Sequence, residues 1–510
     1  MSITNYNIAR RKCLLTIAIG CWCLAVAAQT FKTDDTLLQR LYNTAENKCL
    51  ANISNFGKYK VLVEGAGYTN VWLETQPMGG AMYAKRNPEI AKNNQLIFMD
   101  FQRADGRLPG MISMENGTIT PHFGWLQGFC FPEEALDVYY WTGRDRAYLL
   151  KLYYCLAGFD KYLWRNRDSD GDGCLESWCT WDTGDDNSVI YAGAPNEWGY
   201  AYPPRQGPVP MASMDVMSYS YSCRATLAEI SVLLHNGQSL NWQKKAKAVK
   251  RKIKAYLWDP VKAACYNRDP RHIVIPILLS SNIRCMYYSS FDQQMANAFI
   301  SKHLLNPAEF WTKMPLPSIA VSDPAFKNLP DNNWSGQPEG LTFQRAIRAL
   351  ENYGHYAEVG LIGKRLIITL KREQKFTQQY DPFTGKASNS PDGYGPTMLS
   401  LLEYVSKMYG VAYERDNVLW SGLSSSSSTS YTQIIKGNRY TLKTDRGKMT
   451  AFINDQMILT CSAGARLITN LSGKRLSVIG IDSTKTNVLI TYHSKNYRFA
   501  LKPNEKHNLY

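Results

Sequence analysis

The sequence has no apolar run long enough to cross a bilayer. Its longest candidate, Cys13 to Ala27, falls short of the roughly 20 residues a spanning helix needs. A protein embedded in a membrane by helices is thereby excluded. Histidine is sparse at seven residues, and only His122 falls in a connection suited to chemistry. That argues against reactions built on histidine pairs, such as sugar epimerisation, and weakens a polysaccharide-lyase reading. No glycine-rich phosphate loop and no RNA-binding signature occurs. Beyond the apolar run and its Cys13, Cys21 and Cys23, only Cys174 and Cys179 lie close together, and their spacing is not that of a zinc pair. With 45% hydrophobic and 20% charged residues, the chain is neither disordered nor collagen-like.

What is present begins with an export signature. Arg10, Arg11 and Lys12 precede the apolar run, and Ala25, Ala27 and Ala28 offer a cleavage site before Gln29. We therefore expect a signal peptide over 1–28 and a periplasmic, cell-surface or secreted destination. A lipid anchor at Cys21 would leave too short an apolar segment ahead of it. Losing the three basic signal residues lowers the formal charge from +15 to +12. Nine of the twelve cysteines then remain, an odd number, so at least one is unpaired; most read as buried thiols, with one disulfide or more left open by an exported destination. The one basic cluster, Lys244 to Lys254, alternates with Trp242, Ala246, Val249, Ile253 and Leu257 at helical spacing. It reads as a solvated helix face rather than a nucleic-acid patch. The 32 tyrosines and 13 tryptophans supply rings with a polar handle, which suits surfaces at once apolar and wet, sugar-binding clefts among them.

Apolar residues at helical spacing run from about 35 to 410. The expected helices are 35–54, 82–104, 130–141, 146–164, 211–234, 240–257, 288–304, 337–352, 355–371 and 394–409. Ten to twelve helices with alternating short and long connections suggest paired hairpins wound into a ring. Acids, aromatics and glycines collect in the connections 105–125, 165–210, 313–336 and 373–393. After Trp420 the texture changes to short alternating segments rich in β-branched residues. We read 29–415 as a helical domain, 416–430 as a serine-rich linker and 431–510 as a small β-sandwich.

The strongest local anomaly is Asp168 to Asp186. It holds Asp168, Asp170, Asp172, Glu176, Asp182, Asp185 and Asp186 and no lysine or arginine. So many like charges need a cation, hydrogen-bond donors or raised pKa values. Asp168, Asp170 and Asp172 have the oxygen spacing of a calcium loop, although Cys179 stands where an EF-hand has its bidentate glutamate. A structural calcium ion is the single cofactor this spacing admits, beside the plain Asp/Gly turn. In the second half, Trp181-Asp182-Thr183-Gly184-Asp185-Asp186 sets carboxyls beside an aromatic ring. Such a carboxyl can stay protonated near neutral pH and donate its proton to a leaving oxygen.

Several motifs in order, over residues 66–410, resemble the clan of six-hairpin (α/α)6-barrel glycosidases that includes trehalases, processing α-glucosidases and mannosylglycerate hydrolases. They are Tyr68 to Gly80, then Gln102 to Pro109 (similar to Q-x-x-D-G-x-x-P), Trp125 to Tyr140 and Trp141 to Asp145. Next come the Asp168 to Gly173 turn, the 181–188 segment (similar to W-E-S-G-x-D-N-S), Met214-Asp215-Val216 and Asn333 to Gly336. The last is Tyr380 to Gly385, similar to Y-N-P-x-T-G. The resemblance implies a mainly α (α/α)6 toroid followed by the small β-sandwich. It also implies an inverting exo-α-glycosidase acting on glucose- or mannose-type glycans, and it places the general acid at Asp186.

One departure stands out. The clan's general base is a glutamate two residues before that tyrosine, and here the position is Gln378, whose amide cannot take a proton from water. Glu339 is the first replacement candidate, with Asp381 and Glu74 after it. The resemblance further suggests Trp72, Trp125, Trp181 and Trp334 as walls of the sugar site, with Arg103, Gln127, Gln337, Glu74 and Gln378 binding hydroxyls. The alternative that Gln378 raises is a sugar-binding relative that has lost hydrolysis. A monomer acting on a glycan, without nucleic acid, is the expected partnership.

Overall fold

The computed structural model describes residues 28–509. The expected signal peptide, apart from Ala28, lies outside the described residues, as does Cys21. Among the described residues are twelve α-helices: α1 (Thr36–Ala51), α2 (Gln76–Tyr83), α3 (Pro88–Asp100), α4 (Pro132–Trp141), α5 (Arg146–Asn166) and α6 (Met214–Leu234). They continue as α7 (Ser239–Lys252), α8 (Ser281–Tyr287), α9 (Gln293–Phe299), α10 (Gly340–Glu351), α11 (Tyr356–Glu373) and α12 (Gly395–Tyr409). No described helix is long and apolar enough to cross a membrane.

Two kinds of helix alternate along the chain. The odd-numbered ones are amphipathic. In α7 and the turn after it, Trp242, Ala246, Val249, Ile253 and Leu257 are buried while the lysines between them face solvent. Several carry side-chain N-caps, such as Asp35 on Leu38 N and Asp145 on Ala147 N and Tyr148 N. The even-numbered helices are buried on nearly every side; all of α8 and all but Tyr409 of α12 are covered. These six touch one another in a closed cycle, α2–α4–α6–α8–α10–α12 and back to α2. Outside them, α3 packs on α2 and α4, α5 on α4 and α6, and α11 on α10 and α12.

Two expectations need correction here. The helix expected over 82–104 is the end of α2, a break at Asn87 and α3, because Pro88 starts a helix and cannot continue one. Neither α2 nor α8 was foreseen as a separate helix. At eight and seven residues, each is about two turns, too short for a helical period to show.

Connections entering the even helices are long and those leaving them short, so the long ones gather where the inner helices begin. The two end-to-end regions differ in kind: the far side is taken by antiparallel sheet. A seven-stranded sheet runs in the order Gln29–Thr33, Thr429–Ile435, Asn438–Asp445, Lys448–Ile453, Gln456–Ser462, Thr486–Tyr492, Lys495–Leu501. A five-stranded sheet is ordered Val411–Glu414, Asn417–Gly422, Ala465–Asn470, Ser477–Gly480, Lys506–Asn508.

The expected linker at 416–430 is corrected by this topology. Asn417–Gly422 is a strand between two others, with Trp420 fully buried. The serine run itself is tied down, Ser424 by Asp482 and Ser428 by Asp34 and Asp445. Nor does the sheet region start at 431, since Gln29–Thr33 forms its edge against Thr429–Ile435. A buried ion cluster joins it to the helices: Glu351 receives Lys407 at 2.7 Å and Arg466 at 2.5 Å. All nine described cysteines are buried free thiols, as expected.

Candidate active site

The long connections build a narrow cavity at the start of the inner helices. Glu64, Tyr68, Trp72, Glu74 and Thr75 come from the connection before α2, Gln127 from that before α4, and Gly184 and Asp186 from that before α6. Trp334 comes from the connection before α10 and Leu341 from its first turn, Gln378 and Tyr394 from the connection before α12. Six expected residues therefore meet here: Trp72, Glu74, Gln127, Asp186, Trp334 and Gln378. No lysine or arginine borders the cavity.

Adjacent aspartates have opposite surroundings. Asp182 is fully buried against Arg167 at 2.5 Å and accepts Leu126 N and Trp178 N. Asp185 is paired with Arg284 at 2.5 Å and 2.8 Å, and Arg284 also meets Asp215. Asp186 has no cation partner. Its one side-chain donor is Asn332, whose Nδ2 reaches Oδ2 at 3.0 Å. Burial pushes the Asp186 carboxyl up to about 7; the Asn332 N–H opposes the rise, while the negative charges of Glu74 and Asp185 add to it.

Asn332 is shared. Its Oδ1 accepts Gln378 Nε2 at 2.8 Å, and Gln378 Oε1 in turn accepts the Tyr68 hydroxyl at 3.0 Å. A single chain of hydrogen bonds thus runs Tyr68–Gln378–Asn332–Asp186. The segment after Asn332 is knitted to the acid's loop: Trp334 N donates to Asp186 O at 3.0 Å, and Ser188 Oγ to Trp334 O at 3.1 Å.

Glu74 is buried and bound to Arg345, and Gln127 Nε2 reaches its Oε2 at 3.2 Å. Burial raises its pKa and Arg345 draws it back. Gly184, at φ +71°, lets Glu74 in; a Cβ there would lie 2.5 Å from Glu74 Oε2. The indole N–H of Trp72 is buried on the cavity wall without a partner.

Sequence reasoning missed Glu64. It follows the buried run Val61-Leu62-Val63, and an acid ending an apolar run is the signal that could have found it. Burial pushes its carboxyl up to about 8, against a hydrogen bond from the Tyr394 hydroxyl and with help from Glu74 and Asp186.

The remaining expected residues lie elsewhere. Glu339 does not border the cavity. It is fully buried at the N-cap of α10, accepts Gln379 Nε2 at 2.5 Å, and its other oxygen has no partner; burial holds it far above the usual carboxylate range. Asp381 lies with Asn328 and Gln337 also turns to Asn328, so both point away. Arg103 is exposed and paired with Asp105. Trp125 and Trp181 stand behind Gln127, edge to face at 5.1 Å, and Gln127 N donates to Trp181 O. At the aspartate turn, Asp168, Asp170 and Asp172 each accept a backbone N–H, and Lys252 and His272 lie beside Asp172 at 3.7 Å. Asp170, Asp172 and His272 bring ligand atoms within 4.8 Å of one another.

Comparison with known proteins fits this arrangement. The family model of the mannosylglycerate hydrolase MGH1-like glycoside hydrolase domain matches residues 78–395. A GH63 mannosylglycerate hydrolase from Thermus thermophilus, solved with Tris and D-glycerate, superposes with TM-score 0.57 at 19% identity, over 72% of this chain and 100% of that one. Neutral trehalase from Saccharomyces cerevisiae gives 0.56 at 13% identity, over 71% and 80%. A sialidase gives 0.67 at 13% identity, over 88% of this chain and 42% of that one. No curated protein sequence matches significantly.

Proposed function

The chain belongs to the MGH1-like glycoside hydrolase family, and from that premise we propose that it removes a neutral glucose- or mannose-type unit from the end of an α-linked oligosaccharide, with inversion. In this reading the twelve helices are an (α/α)6 barrel carrying a β-sandwich, and the protein is exported and monomeric. The observation that carries the reading is Asp186: a cavity-bordering carboxyl, free of any cation and poised near neutrality. Such a group keeps its proton for the glycosidic oxygen until the bond breaks.

The base must ionise a water on the opposite face of the sugar ring. Among the carboxyls bordering the cavity, Glu74 is tied to Arg345, which leaves Glu64. We assign the base to Glu64 in place of Glu339. Water adds its oxygen to the anomeric carbon and gives its proton to Glu64. The bond to the leaving sugar breaks, and its oxygen takes the Asp186 proton. The free Trp72 N–H and Gln127 are suited to hold sugar hydroxyls, and Trp334 to wall the ring. The Thermus enzyme was solved with D-glycerate, an anion. A cavity edged by three acids and no cation favours a neutral substrate instead.

This chemistry needs no cofactor. At Asp168–Asp172 we propose a structural calcium ion in competition with Lys252 and His272; a melting temperature that rises with calcium and falls back with EDTA supports it, and an unmoved one overturns it.

The decisive experiment measures sugar release from a panel of α-linked di- and oligosaccharides, with mannosylglycerate included, for wild type and Asp186→Asn. Release from neutral substrates, first as the inverted anomer by NMR and absent in the variant, supports the assignment. The fixed amide of Gln378 favours one other reading, a sugar-binding protein without hydrolysis. Saturable binding with no release from wild type would establish that reading instead.

A further inference from the structure

Between Trp181 and α6 the chain throws out a loop whose residues the cleavage step does not use. Its ends are pinched together: Gly207 sits at φ +58°, and a Cβ there would lie 2.7 Å from Ala192 O and 2.8 Å from the Gly193 carbonyl carbon. Three rings project from it. Tyr200 and Tyr202 are each 60% exposed, with near-parallel rings 5.5 Å apart. Trp198 meets Tyr200 edge to face at 5.0 Å, and its Nε1 braces the loop by donating to Tyr202 O at 2.7 Å. Exposing this much aromatic surface in one place is costly unless something covers it.

The loop is continuous with the cavity rim. Thr180 N donates to Pro195 O at 3.0 Å, Trp181 N to Asn196 O at 3.1 Å, and Trp198 N to Gly124 O at 2.7 Å. Trp125 and Trp181 follow, edge to face, and Trp181 O holds Gln127, which borders the cavity. Backbone hydrogen bonds therefore tie the loop that carries the exposed pair to the segments that carry Gln127 and Trp181. Between Gly193 and Gly207 the charged residues are Glu197 and Arg205, one of each sign, so the loop carries no net charge to attract an acidic sugar.

Building on the glycosidase reading, we infer that Trp198, Tyr200 and Tyr202 form a binding platform for the distal rings of a neutral oligosaccharide whose terminal unit enters the cavity. The C–H faces of pyranose rings lie flat on aromatic rings, and tyrosine adds a hydroxyl at the wet edge. The enzyme is then selective for chain length as well as for the terminal sugar.

The test compares α-gluco- and α-manno-oligosaccharides of two and five units on the Tyr200→Ala/Tyr202→Ala double variant. We expect kcat/KM on the five-unit chain to fall about tenfold while the two-unit value holds. Tyr200→Phe/Tyr202→Phe, which keeps both rings, should retain most of the five-unit activity. An equal loss on both lengths, or no loss on the longer chain, overturns the platform. Calorimetric binding of the five-unit chains to Asp186→Asn, with and without the alanine pair, separates this inference from the hydrolase reading. If wild type cleaves nothing but the alanine pair still weakens binding, the platform stands and the hydrolase falls; binding unmoved by the alanine pair overturns the platform.

Discussion

Replacing Gln378 by glutamate should make the protein a faster enzyme. In the wild type, Asn332 accepts from Gln378 and donates to Asp186. A carboxylate at this position has nothing to donate, so the Asn332 amide turns over, giving its NH2 to the new carboxylate and its oxygen to the protonated Asp186. The Tyr68 hydroxyl keeps an acceptor where it has one now. Two donors then offset the burial of the introduced charge, and Asp186 is held in the protonated form that catalysis needs.

The gain follows from the protonation states. With Asp186 near 7 and Glu64 near 8, the acid is protonated and the base ionised together in only about one molecule in seventeen, at best near pH 7.5. A lower base beside a higher acid puts most molecules in the reactive state around pH 6. We expect kcat/KM to rise by roughly tenfold and the optimum to move down by about one to two pH units. Initial rates across pH 5–9 on the best disaccharide measure both. A Gln378→Glu protein as slow as wild type, with its optimum unmoved, would refute the view that position 378 faces the reacting water.

Glu64→Gln should lower kcat by about 10²–10³-fold with KM little changed, and should abolish the acidic limb of the pH profile, read from steady-state kinetics. Asp186→Asn should be inactive yet more stable at high pH. The folded Asp186 pKa of about 7 lies above its ordinary 3.8, so the stability it contributes is full at low pH and lost as pH rises through 7. Denaturation should then show the amide level with wild type at pH 4 and ahead by about 1–3 kcal/mol at pH 9, allowing for the part exposure of the group. Gly184→Ala places a Cβ against Glu74 at positive φ; a loss of about 1–3 kcal/mol in denaturant unfolding is expected, together with reduced activity.

The helices legible in the sequence were the long ones, most plainly those with two different sides. The stripe Trp242, Ala246, Val249, Ile253, Leu257 was read correctly because solvent selects lysines for the opposite face. The long buried helices α4, α6, α10 and α12 were read as well; α2 and α8 escaped because eight and seven residues are about two turns, too few to show a period, and Gly79 and Gly80 in α2 hid it further. At the site, Asp186 was legible from its acidic segment and from family resemblance, and so was the oddity of Gln378. Glu64 was not, because its place on the cavity, beside Tyr394 and near Asp186, arises only when the helical ring closes. Glu339 was misplaced for the same reason: proximity in sequence to Trp334 does not say which side of the α10 N-terminus faces the cavity.

The crowding of seven acids in nineteen residues is resolved within the fold by several devices at once. Buried arginines neutralise Asp182 and Asp185. Backbone N–H groups, with Lys252 and His272, hold Asp168, Asp170 and Asp172, while Ser169 and the Trp178 indole satisfy Glu176. Asp186 is given no cation and a single side-chain donor, and its answer to the same repulsion is to keep its proton. Burial does most to create that state, and the neighbouring charges of Asp185 and Glu74, each paired with its own arginine, add to it. The ion pairs are therefore part of the acid's chemistry, and a change at Arg284 or Arg345 should be felt as a shift in the basic limb of the pH profile before it is felt in the fold.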